Sequence, residues 1–200
     1  MDRAGRWNHN IHYHRVVLDA LPPGCGRVLE VGCGEGLLAR ELGAVARHVL
    51  AIDRHEPSLA LASRHGAGGP VEYVAGDFLT HPFEPASFDA VVSVAALHHM
   101  DAATGLARMS HLLRPGGTLA VVGLARARYP HDLPREAAAV VAHRLHAAAR
   151  GYWQHSAPTV WPPPETYAGM RRIAEAVLPG VRYRRHVLWR YSLVWTKPGS

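Results

Sequence analysis

The 200-residue chain is short of cysteine and lysine: it has two cysteines, Cys25 and Cys33, and one lysine, Lys197. Two cysteines do not make a disulfide framework, so stability has to come from an apolar core. No apolar run approaches the roughly 20 residues that span a bilayer. The polar stretch 1–10 lacks the apolar segment of a secretory signal. A reduced, cytoplasmic setting with no membrane partner is therefore expected. The formal charge is +6, from 22 basic and 16 acidic residues, yet no run of five or six basic residues occurs. The densest group is Arg182, Arg184, Arg185 and Arg190. Arginine scattered in this way, almost without lysine and beside abundant alanine, reads as genome composition. It argues against a dedicated nucleic-acid surface.

What is present is enough for one core: 48% of the residues are hydrophobic, and residues 1–200 read as a single domain. Short apolar runs alternate with helical patterns. Strands are expected at 27–31, 48–53, 71–75, 88–96 and 118–124. Helices are expected at 37–45, 58–63 and 104–113, the last stopped by Arg114-Pro115-Gly116-Gly117. This rhythm implies an α/β fold, a Rossmann-like three-layer sandwich with right-handed crossovers. After residue 124 the pattern changes. A helix at about 134–150 leads into a Trp- and Pro-rich stretch and a helix at about 165–177. Two strands follow, at about 181–187 and 190–196. Too few residues separate them for a crossover helix, so they must be antiparallel. The expected sheet is seven-stranded, mostly parallel, with a terminal antiparallel hairpin.

Residues 30–36 read E-V-G-C-G-E-G between a strand and a helix. Glycine there lets the chain turn sharply and lets a ligand approach the backbone, while helix-start amides face a polar group. A dinucleotide fingerprint would put its third glycine three places after the second. Here Gly32, Gly34 and Gly36 alternate instead, and Glu30 stands two residues before the first. Asp53 ends the second strand and Asp77 follows the third. This constellation resembles the class I S-adenosylmethionine (SAM)-dependent methyltransferases. The resemblance extends through Phe88-Asp89-Ala90-Val91-Val92-Ser93, Leu97-His98-His99-Met100 and Leu112-Leu113-Arg114-Pro115-Gly116-Gly117. It covers residues 27–124 and is nearest to the small-molecule branch related to ubiquinone biosynthesis.

The resemblance implies SAM as cofactor, bound by Glu30, Gly32, Cys33, Gly34, Asp53, Arg54, Asp77, Phe78 and Ala95. Asp53 would accept the ribose hydroxyls. Asp77 would accept from the adenine amino group, with Phe78 against the ring. The N-terminal segment 1–26 would fold over the cofactor as a lid, with Tyr13, His14 and Arg15 reaching the methionine carboxylate. His98 and His99 follow the fourth strand at the sheet's carboxyl edge, where either could move a proton. Segment 125–180 would build the acceptor pocket with Tyr129, His131, His143, His146, Tyr152, Trp153, His155 and Trp161. Trp and Tyr suit a flat, partly polar small molecule. The histidines of the N-terminus do not share one helical face, and no metal site is expected. A monomer and a homodimer both remain open, as do three rival functions. A nucleic-acid methyltransferase is disfavoured by the lack of an N/D-P-P-Y/F tetrad after the fourth strand. An NAD(P)-dependent oxidoreductase is disfavoured by the glycine spacing. The third is a non-catalytic protein of the same fold.

Overall fold

The computed structural model describes residues 6–66, 69–154 and 160–199. Seven strands form one sheet: β1 (Arg27–Val31), β2 (His48–Asp53), β3 (Val71–Ala75), β4 (Phe88–Val94), β5 (Leu113–Gly123), β6 (Arg182–Arg185) and β7 (Tyr191–Thr196). Their order is β3-β2-β1-β4-β5-β7-β6. The first five strands are parallel, and β7 runs antiparallel between β5 and β6. The helices α1 (His9–His12) and α2 (His14–Leu18) precede β1. Three more, α3 (Leu37–Leu42), α4 (Glu56–Gly66) and α5 (Ala102–Leu112), lie among the parallel strands. The last two, α6 (Leu133–Arg150) and α7 (Tyr167–Val177), fill the segment before the hairpin.

Successive strand residues point to opposite faces of the sheet, and in the central strands both faces are buried, while the edge strands β3 and β6 stay partly exposed. Leu29 and Val31 of β1, Val91 of β4 and Leu119 of β5 pack with Leu106 and Met109 of α5 and Met170 of α7. Val28, Val49, Val92 and Val122 pack on the other face with Leu38 and Leu42 of α3 and Val17 of α2. That two-sided burial explains why the strands read as near-continuous apolar runs.

Several boundaries differ from expectation: α4 runs Glu56–Gly66 rather than 58–63, β4 stops at Val94 rather than 96, and β6 spans Arg182–Arg185 rather than 181–187. The helix α3 ends at Leu42: the Gly43 N–H makes the last bond of the helical series, to Ala39 O at 2.9 Å, and the Ala44 and Val45 amides then tighten onto Glu41 O at 3.2 Å and Leu42 O at 2.9 Å. Strand β5 begins at Leu113, not 118. Leu113 pairs with Phe88, the register shifts between Phe88 and Ala90, and the Gly116 N–H bonds Lys197 O at 2.9 Å. The Pro-Gly-Gly signal marks an irregular stretch inside a strand here, not a loop before one. From β1 the order runs one way to β2 and β3 and the other way to β4 and β5. The reversal opens a crevice at the carboxyl edge between β1 and β4.

Candidate functional site

At that edge lies a cavity of about 1140 Å³. Ligand cavities commonly run to about 300–1,000 Å³, so this one has room for two bound molecules. Gly32 and Gly34 line its floor, while Gly36 lies outside the lining, where a Cβ would meet the Tyr73 side chain. Gly32, Gly34 and Gly36 have φ of +77°, +52° and +70°, a backbone region that costs an L-residue roughly 1–2 kcal/mol. A Cβ on Gly32 would collide with Ala96 Cβ, whereas one on Gly34 would meet nothing within 4 Å. The first glycine is thus demanded by packing on the end of β4. The second keeps the cavity open.

Acids stand above this floor. Asp53 closes the loop: its carboxylate accepts from the Gly34 N–H at 2.7 Å and from the His55 N–H at 2.8 Å. A carboxylate has about four acceptor positions, so each oxygen can still take another donor. Asp77 Oδ1 accepts from the Leu79 N–H at 2.8 Å. Glu30 is 2% exposed, and its Oε2 has no hydrogen-bond partner. Burial first, and then the Asp53 charge, push its pKa well above the usual carboxylate range. A buried carboxyl with one unpartnered oxygen beside a cavity fits a ligand with cationic or hydrogen-donating groups. Gly32 and Gly34 at the floor, the space beside Gly34 and this acid match what a nucleoside bearing an amino-acid arm, such as SAM, would require.

The remaining expected residues fall into place unevenly. Glu30, Gly32, Cys33, Gly34, Asp53, Arg54, Asp77, Phe78, Ala95, His98, His99 and His14 all line the cavity. Ala95, at the end of β4, holds φ +54°, a strained value for alanine at the site itself. The Cys33 thiol is buried and its pKa is raised by burial, so it is no nucleophile. Phe78 is buried in the core beneath the cavity, with the Arg108 guanidinium 5.5 Å from its ring centre. Tyr13 does not reach the cavity. Its hydroxyl donates to the Val187 carbonyl and its ring lies on His186. Arg15 is exposed and paired with Asp19 at 2.6 Å.

His98 is half-buried, and burial, His99 and Arg190 together lower its pKa to about 4. Its Nδ1 is buried without a partner. An orphaned acceptor is tolerated better than an orphaned N–H, so the proton belongs on Nε2 and His98 is a donor at neutral pH.

In the acceptor segment, Tyr152, Trp153 and Trp161 line the cavity. Tyr129 is exposed, and His131 sits on Asp132. His143 and His146 stack on Trp7, which is 3% exposed. His155 lies outside the described residues. The Trp153 N–H bonds Trp7 O at 2.8 Å, so the N-terminal segment and the acceptor segment close on each other. Asn8, Asn10, Glu136, Trp189 and Arg190 complete the wall. Sequence reasoning assigned no role to Glu136, Trp189 or Arg190, because no motif marks them. Only their placement in α6 and the final hairpin brings them to this edge.

Comparison with known proteins agrees with the geometry. Residues 29–121 match the methyltransferase domain family. An uncharacterized methyltransferase of Mycobacterium tuberculosis is 40% identical over 193 residues, covering 96% of this chain and 98% of its own. The demethylmenaquinone methyltransferase of Roseiflexus castenholzii is 33% identical over 175 residues, covering 82% of this chain and 73% of its own. Among solved structures, a SAM-dependent methyltransferase from Mesorhizobium loti superposes with a TM-score of 0.63 at 18% identity. It covers 92% of this chain and 96% of that one, and is a likeness of fold.

Proposed function

This chain belongs to the class I SAM-dependent methyltransferases, and we propose on that premise that it methylates a flat small molecule held between the glycine loop and the aromatic wall. The observation that carries the reading is that one cavity is lined by both kinds of group. Glu30, Gly32, Gly34, Asp53 and Asp77, from the ends of β1, β2 and β3 and the turns after them, share it with Tyr152, Trp153, Trp161 and Trp189, from the segment before α7 and the final hairpin.

In this reading SAM supplies a methyl group on a sulfonium, already activated for attack. The protein's own residues then bind and align. Asp53 accepts the ribose hydroxyls on its two remaining lone pairs, and Asp77 accepts from the base. Glu30 faces the amino-acid end. Arg54, Cys33, Ala95, His14 and Phe78 close the walls. The tryptophans and Tyr152 lay a planar acceptor against the cofactor and exclude water. His98 donates from Nε2 to an acceptor oxygen. With a pKa of about 4 it is a poor proton sink at neutral pH. His99 packs beside it, the ring centres 4.1 Å apart.

The acceptor atom is a hydroxyl, amine or carbon of a metabolite. The Roseiflexus relative, named for a quinone precursor, is consistent with a planar acceptor. The test is transfer of label from methyl-labelled SAM into cell extract separated by size. Label is expected in molecules below about 1 kDa. Label confined to RNA or to protein would overturn the reading.

A further inference from the structure

Arg190 is 6% exposed and lines the cavity, yet among the described residues it forms no salt bridge. Its Nε and Nη2 donate to Asn10 Oδ1 at 3.2 and 2.6 Å, and its Nη1 donates to Leu188 O at 3.3 Å and Trp189 O at 3.1 Å. Every one of these partners is neutral. Four of the five guanidinium hydrogens are thereby used, and one on Nη2 remains. Among the described residues no carboxylate forms an ion pair with it. Elsewhere the half-buried Arg185 meets a carboxylate, Asp132, at 2.5 Å, while the half-buried Arg108 and Arg40 donate to backbone carbonyls, of Phe78 at 2.7 Å and Glu35 at 2.9 Å; Arg190 is more deeply buried than any of these. Glu136, the acid on the same wall, accepts instead from Trp189 Nε1 at 2.9 Å. Burial lowers the Arg190 pKa to about 10, which leaves it cationic at neutral pH. A buried cation without a counter-charge is costly unless an anion arrives to share the site.

Its position says which ligand would bring the anion. Arg190 precedes Tyr191, and Tyr191 pairs with Gly123 at the carboxyl end of β5. It therefore sits at the same edge as the glycine loop. The strand order puts β7 three places beyond β1, or about 14 Å across the sheet at the usual strand spacing. The acids Glu30, Glu35, Asp53 and Asp77 line the β1–β3 side together with Arg54. On the β7 side Arg190 is the cation in the wall, beside Tyr152, Trp153 and Trp189.

We propose that Arg190 is the cavity's anion-binding group and that the methyl acceptor is a planar molecule anchored to it by an ionised carboxylate. This rests on the methyltransferase reading above and names the acceptor's class within it. A carboxylate would replace neutral surroundings with a charge-assisted hydrogen bond in a site shielded from water, which favours the ion over its neutral isostere.

The probes are 2-naphthoate and its neutral counterpart 2-naphthamide, titrated into the full chain saturated with S-adenosylhomocysteine. The carboxylate is expected to bind about tenfold to a hundredfold more tightly than the amide. Arg190→Met is expected to abolish that preference. Because this change also removes the bonds to Asn10, a second variant leaves Arg190 in place. Asn10→Asp sets a carboxylate on the same guanidinium edge, and should keep the fold while bringing the two probes to within about twofold of each other. A preference that persists in both variants, or is absent from the unaltered protein, makes Arg190 a structural staple and overturns the proposal. So does a loss of S-adenosylhomocysteine affinity in the variants with methylthioadenosine affinity unchanged, since the anion would then be the cofactor's own carboxylate. Failure of the unaltered protein to bind S-adenosylhomocysteine at all would instead remove the methyltransferase premise, and is seen before any probe is added.

Discussion

Replacing Asp53 separates two contributions that one carboxylate makes. In the structure its oxygens hold the Gly34 N–H at 2.7 Å and the His55 N–H at 2.8 Å. It is therefore a staple of the glycine loop before any ligand arrives. Hydrogen bonds to a charged group contribute about 1.5–3 kcal/mol each, less where water can replace the lost partner. Asp53→Ala should thus lower the stability of the free protein by about 1–3 kcal/mol. It should also weaken S-adenosylhomocysteine by about tenfold to several hundredfold, through the lost ribose acceptors. Asp53→Asn is not a mild change here. One oxygen becomes an NH2 group that must face a backbone N–H, so this variant should lose stability comparably to the alanine. Calorimetric Kd for S-adenosylhomocysteine and the Tm of the free protein read the two effects on each variant. A folded Asp53→Ala protein with Kd within about twofold of the original and an unchanged Tm would refute both roles.

Gly32→Ala should cost roughly 2–5 kcal/mol, combining left-handed strain with the collision on Ala96. Gly34→Ala should cost only the strain, about 1–2 kcal/mol, yet still weaken cofactor binding, since its methyl enters the cavity. Equal Tm losses for the two would contradict this. Leu119→Ala, which empties a fully buried position in β5, should destabilise by about 2–5 kcal/mol and leave the Kd for S-adenosylhomocysteine unchanged; urea unfolding checks the first and calorimetry the second. Acid should destabilise the fold. Burial, then Arg190, lowers the His9 pKa from 6.5 to about 4, and burial, then His99, does the same for His98. The unfolded chain takes up these protons near pH 6.5 and the folded one only near pH 4, so stability is lost as pH falls between the two. Tm measured from pH 7.5 to 4.5 should drop, and His9→Gln should make the drop shallower. A flat profile would contradict the assignment.

Much of this was readable in the sequence because it is local. Strands buried on both faces announce themselves as apolar runs, and alternating glycines followed by acids at two further strand ends lie within one stretch of 48 residues, 30–77. What was not readable depends on distant partners. Trp7 stacks on His143 and His146 of α6, and no periodicity connects an N-terminal tryptophan to a helix so far along the chain. Tyr13 was expected at the cofactor, but its hydroxyl instead finds the Val187 carbonyl in the hairpin connection. Arg190 stood, in sequence, at the end of the densest basic group, with no motif to mark it. Only the antiparallel return of β7 brings it to the carboxyl edge beside Asn10. The irregular start of β5 escaped notice for a similar reason, because a pairing of Gly116 with Lys197 overrides the local turn signal.

The most direct test is a crystal structure of the S-adenosylhomocysteine complex. The account predicts the nucleoside along Gly32 and Gly34, with the ribose on Asp53 and the base at Asp77. The space beside Trp153, Trp189 and Arg190 should stay open for an acceptor. A nucleoside lying on the aromatic wall instead, or a ribose out of reach of Asp53, would contradict it.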